Sequence, residues 1–522
     1  MAANSDLFTQ DELLTAISKL KTGKAVKTGD VPAEALKALA AERGAALEWV
    51  PSFCNLCWTT KSIPRAWATA SVAMIYKKSD PGLCDNYRPI CLLSIADKAF
   101  ASMLKQRLLD AGIEDRLWPS QFGFRRGCST EDAIFLARRR IELARAQRNG
   151  SVSLLALDWA KAFDSINPAS LLDALRRAGL PEAFLQMIDG MLRDREYVVA
   201  DFGMTSEPRD QLSGISQGCT LSPLLFVVAM SVLLQDAVDI LNAATSAEYA
   251  KGDLADVLYA DDTLLLGVKE QHLEEFLRAI HEAGRRYGME LHYDKFQLIT
   301  TSRQPVSVRA PDGTVIHSKP TMEYLGCILQ GDGQSSHEIS RRIAMARADF
   351  DILAKTWTHS AVTWKQKLHI YKSLVESKLL HSMATLTLTA AQTRKLNGFQ
   401  NRCVRKIIGV PPAFVSRVSN ATVLHKAAHP LASDLLRKKR LQLFGKILRA
   451  DATHPLKRAC FIPNTFVPVT ELYIRRIGRP SKEWIKEVVQ EAVSFFGSME
   501  TASGNAQSKL TWNSALADKF GF

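Results

Sequence analysis

Apolar residues return at helical spacing from the start of the chain: Leu13, Leu14, Ile17 and Leu20 follow Thr9 and Glu12, a pair spaced as a capping box. A basic, glycine-containing stretch, KTGKAVKTGDVPAE, breaks this pattern and leads to a second helix near Pro32. SVAMIYKK at 71–78 reads as a strand ending in basic residues, SDPGLCDN as a turn, and YRPICLLS as the lead into a helix through KAFASMLKQRLLD. QFGFRRGCST is a basic, glycine-broken loop ahead of the helix EDAIFLARRRIELARAQ. SVSLLALD is apolar without interruption, the pattern of a buried strand. Helices are expected at 168–178 and 182–192, a strand at EYVVADF, and a loop, GISQGCTLSP, before the apolar run LSPLLFVVAMSVLL. ADVLYADDTLLLGV predicts a hairpin with two Asp at its turn, followed by an amphipathic helix at 271–287 and the strand FQLITT. Beyond 336 the periodicity is helical, and the tail after 487 is polar and nearly neutral.

The apolar run 221–234 holds Ser and Pro and meets Gln235 and Asp236, so it reads as a buried helix with Pro223 in its first turn rather than a membrane span. The opening MAANSDLFTQDELL has neither the basic nor the apolar region of a signal peptide. These patterns put no membrane among the expected partners.

Charge changes the picture. Lys and Arg number 67 against 54 Asp and Glu, a net +13, and the excess is concentrated between 394 and 486. Such a surplus points to a polyanionic partner. Nine cysteines, an odd number thinly spread, suit a reducing compartment. Cys54 and Cys57 form one C-x-x-C with no second pair at zinc spacing, and read as two half-buried thiols.

Asp261 and Asp262 stand side by side in the apolar run DVLYADDTLLL. Strand alternation would send one carboxylate to each face, and burying an unpaired carboxylate is costly. Asp158 ends the buried strand SVSLLALD, and Asp164 follows six residues later. Carboxylates at strand ends could converge on one site. Mg²⁺ is a hard cation that takes oxygen ligands, and two such ions can clamp the attacking and leaving oxygens of a phosphoryl transfer. A solvated hairpin is the plainer alternative.

The order of these segments carries a resemblance. YADD at 259–262 resembles the Y-x-D-D box of reverse transcriptases. LDWAKAFDSI resembles the first carboxylate motif of non-LTR (LINE-type) retrotransposon polymerases, GISQGCTLSPLLF their second motif, GMELHYDKFQLI their fourth and MEYLGCIL their primer-side motif. IYKKSDPGLCDNYRPICLLS and QFGFRRGCSTEDAI are similar to their finger segments, and FQNRCVRKIIGV, RLQLFGKILRA and GRPSKEWIKEV to their thumb and downstream segment.

The resemblance implies an α/β (α+β) right-hand polymerase with fingers, an antiparallel palm sheet, a helical thumb and a basic helical C-terminal segment. The implied division is an N-terminal extension with an RNA-contacting loop (1–70), fingers (71–150), palm with finger insertions (151–335), thumb (336–412) and C-terminal segment (413–522). The implied activity is RNA-directed DNA polymerisation: a deoxynucleotide joins a primer 3′ end on an RNA template with two Mg²⁺ ions, Mn²⁺ being an alternative. Asp158 and Asp261 would hold both metals, and Asp262 would complete the site near the primer terminus. Phe163 would lie under the incoming sugar and exclude a ribose hydroxyl. Gln217 would contact the nucleotide, with Gly218 admitting close backbone approach. Lys77 and Arg88, flanking a turn with Lys78, would bind the triphosphate. Arg125 and Arg126 would touch template or triphosphate, and Lys295 would act as general acid near the leaving pyrophosphate.

Each role has a plainer alternative: core packing for Phe163, a structural turn for Gln217, solvated charge for Lys77, Arg88 and Lys295. Asp164 is expected to be a helix N-cap. The basic helices from 394 would grip the template–primer backbone.

The chain also departs from the family. Lys27-Thr28-Gly29-Asp30-Val31 replaces the usual Gly/Pro-Gly-Asp-Gly turn, and LLHSMATLTLT lacks the usual Tyr-Gly and Trp. No stretch resembles the endonuclease that full-length elements encode, so the chain is expected to be the polymerase portion of an element, a fragment or a decayed copy. The expected partners are an RNA template, a DNA primer or target, dNTPs and an endonuclease in trans or on a missing segment. The expected place of action is inside the cell, in the nucleus if the host is a eukaryote. The rival is a catalytically silent or domesticated RNA-binding protein on the same fold; intact Asp158, Asp261 and Asp262 speak against it.

Overall fold

Four antiparallel strands lie side by side in the order Leu254–Tyr259, Asp262–Gly267, Ser153–Leu157, Gln297–Thr300. The computed structural model describes residues 1–522 apart from Thr28, Arg43, Gly44, Lys78, Phe202, Arg479, Pro480, Ser481 and Phe522, and apart from the side chains of 45–48. Lys78, one residue of the 22–31 loop and part of GRPSKEWIKEV thus lie outside the described residues.

Alternate residues of the sheet enter two cores. Leu155, Leu157, Leu258, Leu265 and Leu298 face one; Leu154, Val257, Leu264, Leu266 and Ile299 face the other. Many antiparallel sheets keep one face wet and alternate apolar with polar. Here both faces are covered, which is why residues 154–157 and 264–266 run apolar without alternation.

The first face carries the helices Ile95–Asp110, Pro168–Arg177, Ser222–Asp239 and Glu270–Arg286. Ser222–Asp239 is long and apolar enough by composition to cross a membrane, but 72% of it is buried inside the protein, where it supplies the middle of this core. The expected capping box holds: Thr9 and Glu12 exchange hydrogen bonds at the head of Gln10–Lys19. Buried Arg107 clasps the segment before it, donating to the carbonyls of Asp6 (2.6 Å) and Leu7 (3.0 Å) and to Glu12.

The second face carries the helix Thr130–Ala146, the hairpin Thr321–Tyr324/Cys327–Gln330 and the C-terminal helices. The tail beyond 487, polar in sequence, folds: Trp484–Phe496, Met499–Ala506 and Lys509–Phe520 are helices whose few large apolar residues go inward. Trp484 donates to the Ala384 carbonyl (2.8 Å) and Trp512 to that of Leu441 (2.9 Å). Trp512 presses on Gly445 so closely that an added Cβ there would stand 2.4 Å from its ring nitrogen.

A second sheet pairs Thr69–Tyr76 antiparallel with Tyr87–Leu92 and parallel with Glu196–Asp201. The helices from Ser336–Ile352 to Asn420–Lys426 close a third core around Tyr371, Phe399 and Val404, joined by Leu436 of the helix Ala432–Arg449; Tyr371–Glu376 is a π-helical stretch within it. Cys54 and Cys57 are fully buried rather than half-buried, and all nine cysteines are free thiols.

Candidate active site

The hairpin turn is two residues, Ala260 and Asp261, because Tyr259 pairs with Asp262. On the neighbouring strand Leu157 pairs with Thr263, so the next residue, Asp158, stands level with Asp262, roughly one strand spacing of 5 Å away. The register thus brings the three aspartates to one edge of the sheet. Burial and the Asp158 charge raise Asp261 above the ordinary carboxylate range, against the opposing pull of Arg88. Asp262 opens to solvent on one side but is crowded by protein on the others; burial, then Asp261, then Asp158 push it up to about 7.

Asp158 is held differently. Its carboxylate accepts from Lys295 Nζ at 2.9 Å. The backbone explains the meeting: His292 donates to the Asp158 carbonyl (2.8 Å) and Ala160 to that of Glu290 (2.8 Å), which sews 158–160 to 290–292 and delivers Lys295.

Phe163 lies half-buried on Phe226, ring centroids 4.2 Å apart and nearly parallel, with Phe124 edge-on at 6.2 Å. Asp164 is not a helix N-cap. It sits inside the turn Ala162–Ser165, and Asn167 caps the following helix by accepting from Ala169 and Ser170. Asp164 instead accepts from the Gln217 amide at 3.0 and 3.1 Å. The Gln217 carbonyl accepts from Cys91 (2.8 Å), and Gly218, at φ 147°, admits the Cys91 carbonyl to a place where a Cβ would stand 2.2 Å away. The close approach that glycine allows is therefore made by the strand Tyr87–Leu92.

Exposed Arg88 lies on the strand Tyr87–Leu92, and exposed Lys77 lies just past the end of its partner strand Thr69–Tyr76. Lys161, which sequence reasoning passed over, adopts φ 49° and pairs with Asp85 at 3.0 Å. Asp85 is held below the usual carboxylate range by Lys161 first, and by Lys77 and Lys295. Lys295 thus answers Asp158 and Arg88 answers Asp261, while Lys77 and Lys161 gather at Asp85. Arg125 follows Phe124, which packs on Phe163, and lies near Cys128 and His454, and the Arg126 backbone donates to Glu114 at 2.6 Å.

Two further residues had no signal in the sequence. Gln121, fully buried, bonds the Ala260 backbone. Asp256, buried on the same hairpin, accepts from Trp118 (2.9 Å), Tyr249 (2.6 Å) and Ser120. Several basic residues counted toward nucleic-acid contact serve the interior instead. Arg405 donates to the Pro411 and Val418 carbonyls, Arg437 pairs with Glu491, Arg440 with Glu487 and Lys446 with Asp132. In the 22–31 loop, Lys27 donates to the Ala66 and Thr69 carbonyls and Asp30 accepts from the Ile95 amide at 2.9 Å.

Among the described residues no three His, Cys, Asp or Glu side chains close into a ready cage for a metal ion. The three aspartates nevertheless form a set of hard oxygen donors, with the Asp158 charge helping to raise Asp261 and Asp262, and that chemistry fits a divalent cation of the Mg²⁺ class.

Residues 75–329 match the family model for reverse transcriptase (RNA-dependent DNA polymerase). The chain is 26% identical over 475 residues to the probable RNA-directed DNA polymerase from transposon BS of Drosophila melanogaster, covering 86% of this chain and 51% of that one. It is 25% identical over 421 residues to the RNA-directed DNA polymerase from mobile element jockey of the same fly (77% and 44%). It is 26% identical over 379 residues to the retrovirus-related Pol polyprotein from type-1 retrotransposable element R2 of Popillia japonica (68% and 50%). The chain spans about half the length of these curated relatives.

Proposed function

We propose that residues 75–329, which match the reverse transcriptase family model, form a reverse transcriptase domain of the non-LTR retrotransposon type and that the chain is an RNA-directed DNA polymerase. In this reading the four-stranded sheet is the palm, the strands Thr69–Tyr76 and Tyr87–Leu92 with the helices beside them are the fingers, and the helices from Ser336–Ile352 onward are the thumb. The observation that carries the reading is the register that sets Asp158 level with Asp262, next to Asp261, with Lys295 on Asp158 and Arg88 acting on Asp261.

Asp158, Asp261 and Asp262 would hold the metal ions, Mg²⁺ by preference, and these supply charge neutralisation at the phosphate oxygens. The protein's own groups do the rest. Lys77, Arg88 and Lys161 attract and orient the triphosphate, Arg as a fork and Lys as a point charge. The primer 3′ oxygen attacks the α-phosphorus in line and the bond to pyrophosphate breaks. Lys295, within reach of the aspartates, gives a proton to that leaving group. Phe163, backed by Phe226, presents a ring to the sugar at C2′, where a hydroxyl would overlap it. Asp164 fixes Gln217 beneath the nucleotide. The nick that frees a DNA primer comes from an endonuclease on another segment or another chain.

Primer extension on an RNA template tests the reading. Asp261→Ala is expected to abolish extension while RNA binding stays within about twofold; extension at the wild-type rate overturns the assignment.

A further inference from the structure

A two-residue hairpin turn is normally fixed by its own sequence. The type with positive φ at its first position calls for glycine there. In YADD that position is Ala260, at φ 58°, and the second is Asp261, whose carboxylate has other work. The residue types at the turn therefore do not favour its conformation, and a non-glycine residue in that region carries a conformational cost of about 1–2 kcal/mol. Locally the Thr263 hydroxyl donates to the Asp261 carbonyl at 3.2 Å, and Ala260 itself is held from elsewhere.

The restraint comes from the segment Trp118–Gly123, far away in sequence. Leu258 donates to the Ser120 carbonyl (3.0 Å) and Phe122 to that of Leu258 (2.9 Å), a short parallel pairing along the edge of the hairpin. Between those two bonds the fully buried Gln121 side chain reaches the turn: its Oε1 accepts from the Ala260 amide at 2.9 Å, and its Nε2 donates to the Ala260 carbonyl at 3.2 Å. Oε1 also accepts from the Gly123 amide at 2.8 Å, which fixes which end of the amide points where. Gly123 seats the same turn from outside, since a Cβ there would stand 2.1 Å from the Ala260 nitrogen. The far end of the segment is tied down by Asp256, which receives Trp118, Ser120 and Tyr249.

We propose that Gln121 is a positioning residue for the catalytic hairpin, a side-chain amide that grips both polar atoms of the Ala260 backbone and so sets where Asp261 and Asp262 stand. This rests on the reading that those aspartates hold the metal ions. Gln121 touches neither substrate nor reacting atoms. It acts through the turn, and removing a group that orients metal ligands typically costs 10–100-fold.

The test uses the full chain and three variants. Gln121→Met keeps the volume and deletes both bonds; Gln121→Glu keeps the acceptor and loses the donor. In metal-free protein, amide hydrogen exchange over 257–264 is expected to rise at least tenfold in Gln121→Met and less in Gln121→Glu. With Mg²⁺, kcat for primer extension is expected to fall 10–100-fold while KM for dNTP stays within about twofold. Wild-type exchange over the turn, or wild-type kcat, overturns the proposal. If Gln121→Met does not fold, the same measurements on Gln121→Glu decide in the same way. Asp261→Ala separates the two ideas: if it abolishes extension while the Gln121 variants behave as wild type, the positioning role fails alone; if it extends normally, the active-site reading itself is wrong.

Discussion

The hairpin of Leu254–Tyr259 and Asp262–Gly267 carries carboxylates midway along its first strand and at its tip, and the two places are treated in opposite ways. Midway along its first strand Asp256 is enclosed by donors from Trp118, Ser120 and Tyr249. At its tip Asp261 and Asp262 have each other and Asp158 for neighbours, and the nearest compensation is the Arg88 guanidinium beside Asp261. Burying a charge is tolerable when hydrogen bonds answer it. Asp256 meets that condition from within the protein; the tip meets it only with a cation. The contrast teaches that a saturated buried acid builds structure, while a cluster of unsaturated ones marks the place where something else is to be held.

Substitutions can break or sharpen that contrast. The largest effect is expected at the tip: Asp262→Asn should lower primer extension at least about 10³-fold and yet raise the melting temperature of metal-free protein at pH 8. The sign follows from linkage. Asp262 is raised from 3.8 to about 7, so between those values the folded state keeps a proton that the unfolded state has lost, and stability falls as pH rises through the window. Asparagine removes that fall, so the two proteins should melt alike at pH 4, diverge as pH rises toward 7 and stay apart above it. A lower melting temperature for Asp262→Asn at pH 8 would erase the distinction.

Asp256→Ala should do the reverse. It leaves three donors without an acceptor, and urea unfolding should show a loss of about 2–4 kcal/mol, with extension measured below the melting point within about tenfold of wild type. A smaller change is expected at Asp97, which lines a cavity of about 50 Å³ beside Leu225 and Ile188 and has one oxygen without a partner among the described residues. Burial pushes it up to about 7 as well. Asp97→Asn should raise the melting temperature by a few °C at pH 8, the gain fading toward pH 4, and should leave extension unchanged. Loss of activity there would make Asp97 part of the site rather than a bystander.

The sequence pattern foretold the hairpin, the buried strand of Asp158 and the order of the segments around them, because apolar periodicity is local and the sheet register follows from it. What it hid was partnership across distance. Asp256 stood in the same quoted run as Asp261, but its donors lie in segments that spacing cannot join to it. Asp164 was mistaken for a cap because the stronger signal, Asn167 followed by Pro168, lay three residues on. The basic stretch 394–486 promised a surface for phosphates, yet Arg440 and Arg437 meet Glu487 and Glu491, acids just outside the window in which charge was counted. Composition registers charges but not their pairing. The C-terminal segment was expected to be helical, but its burial did not show, because a few tryptophans, not a regular stripe, bury its helices.

That burial separates the stretch that matches known proteins from the piece that can stand alone. Strands within 75–329 share one greasy wall with Phe444, Trp484 and Trp512. Clipping the chain before the helix Ala432–Arg449 would spare Asp158, Asp261 and Asp262 and strip the lining from behind their sheet. The smallest piece that keeps this wall is then longer than the stretch that matches the family model, and the helices from Ala432–Arg449 onward are foundations rather than an appendage.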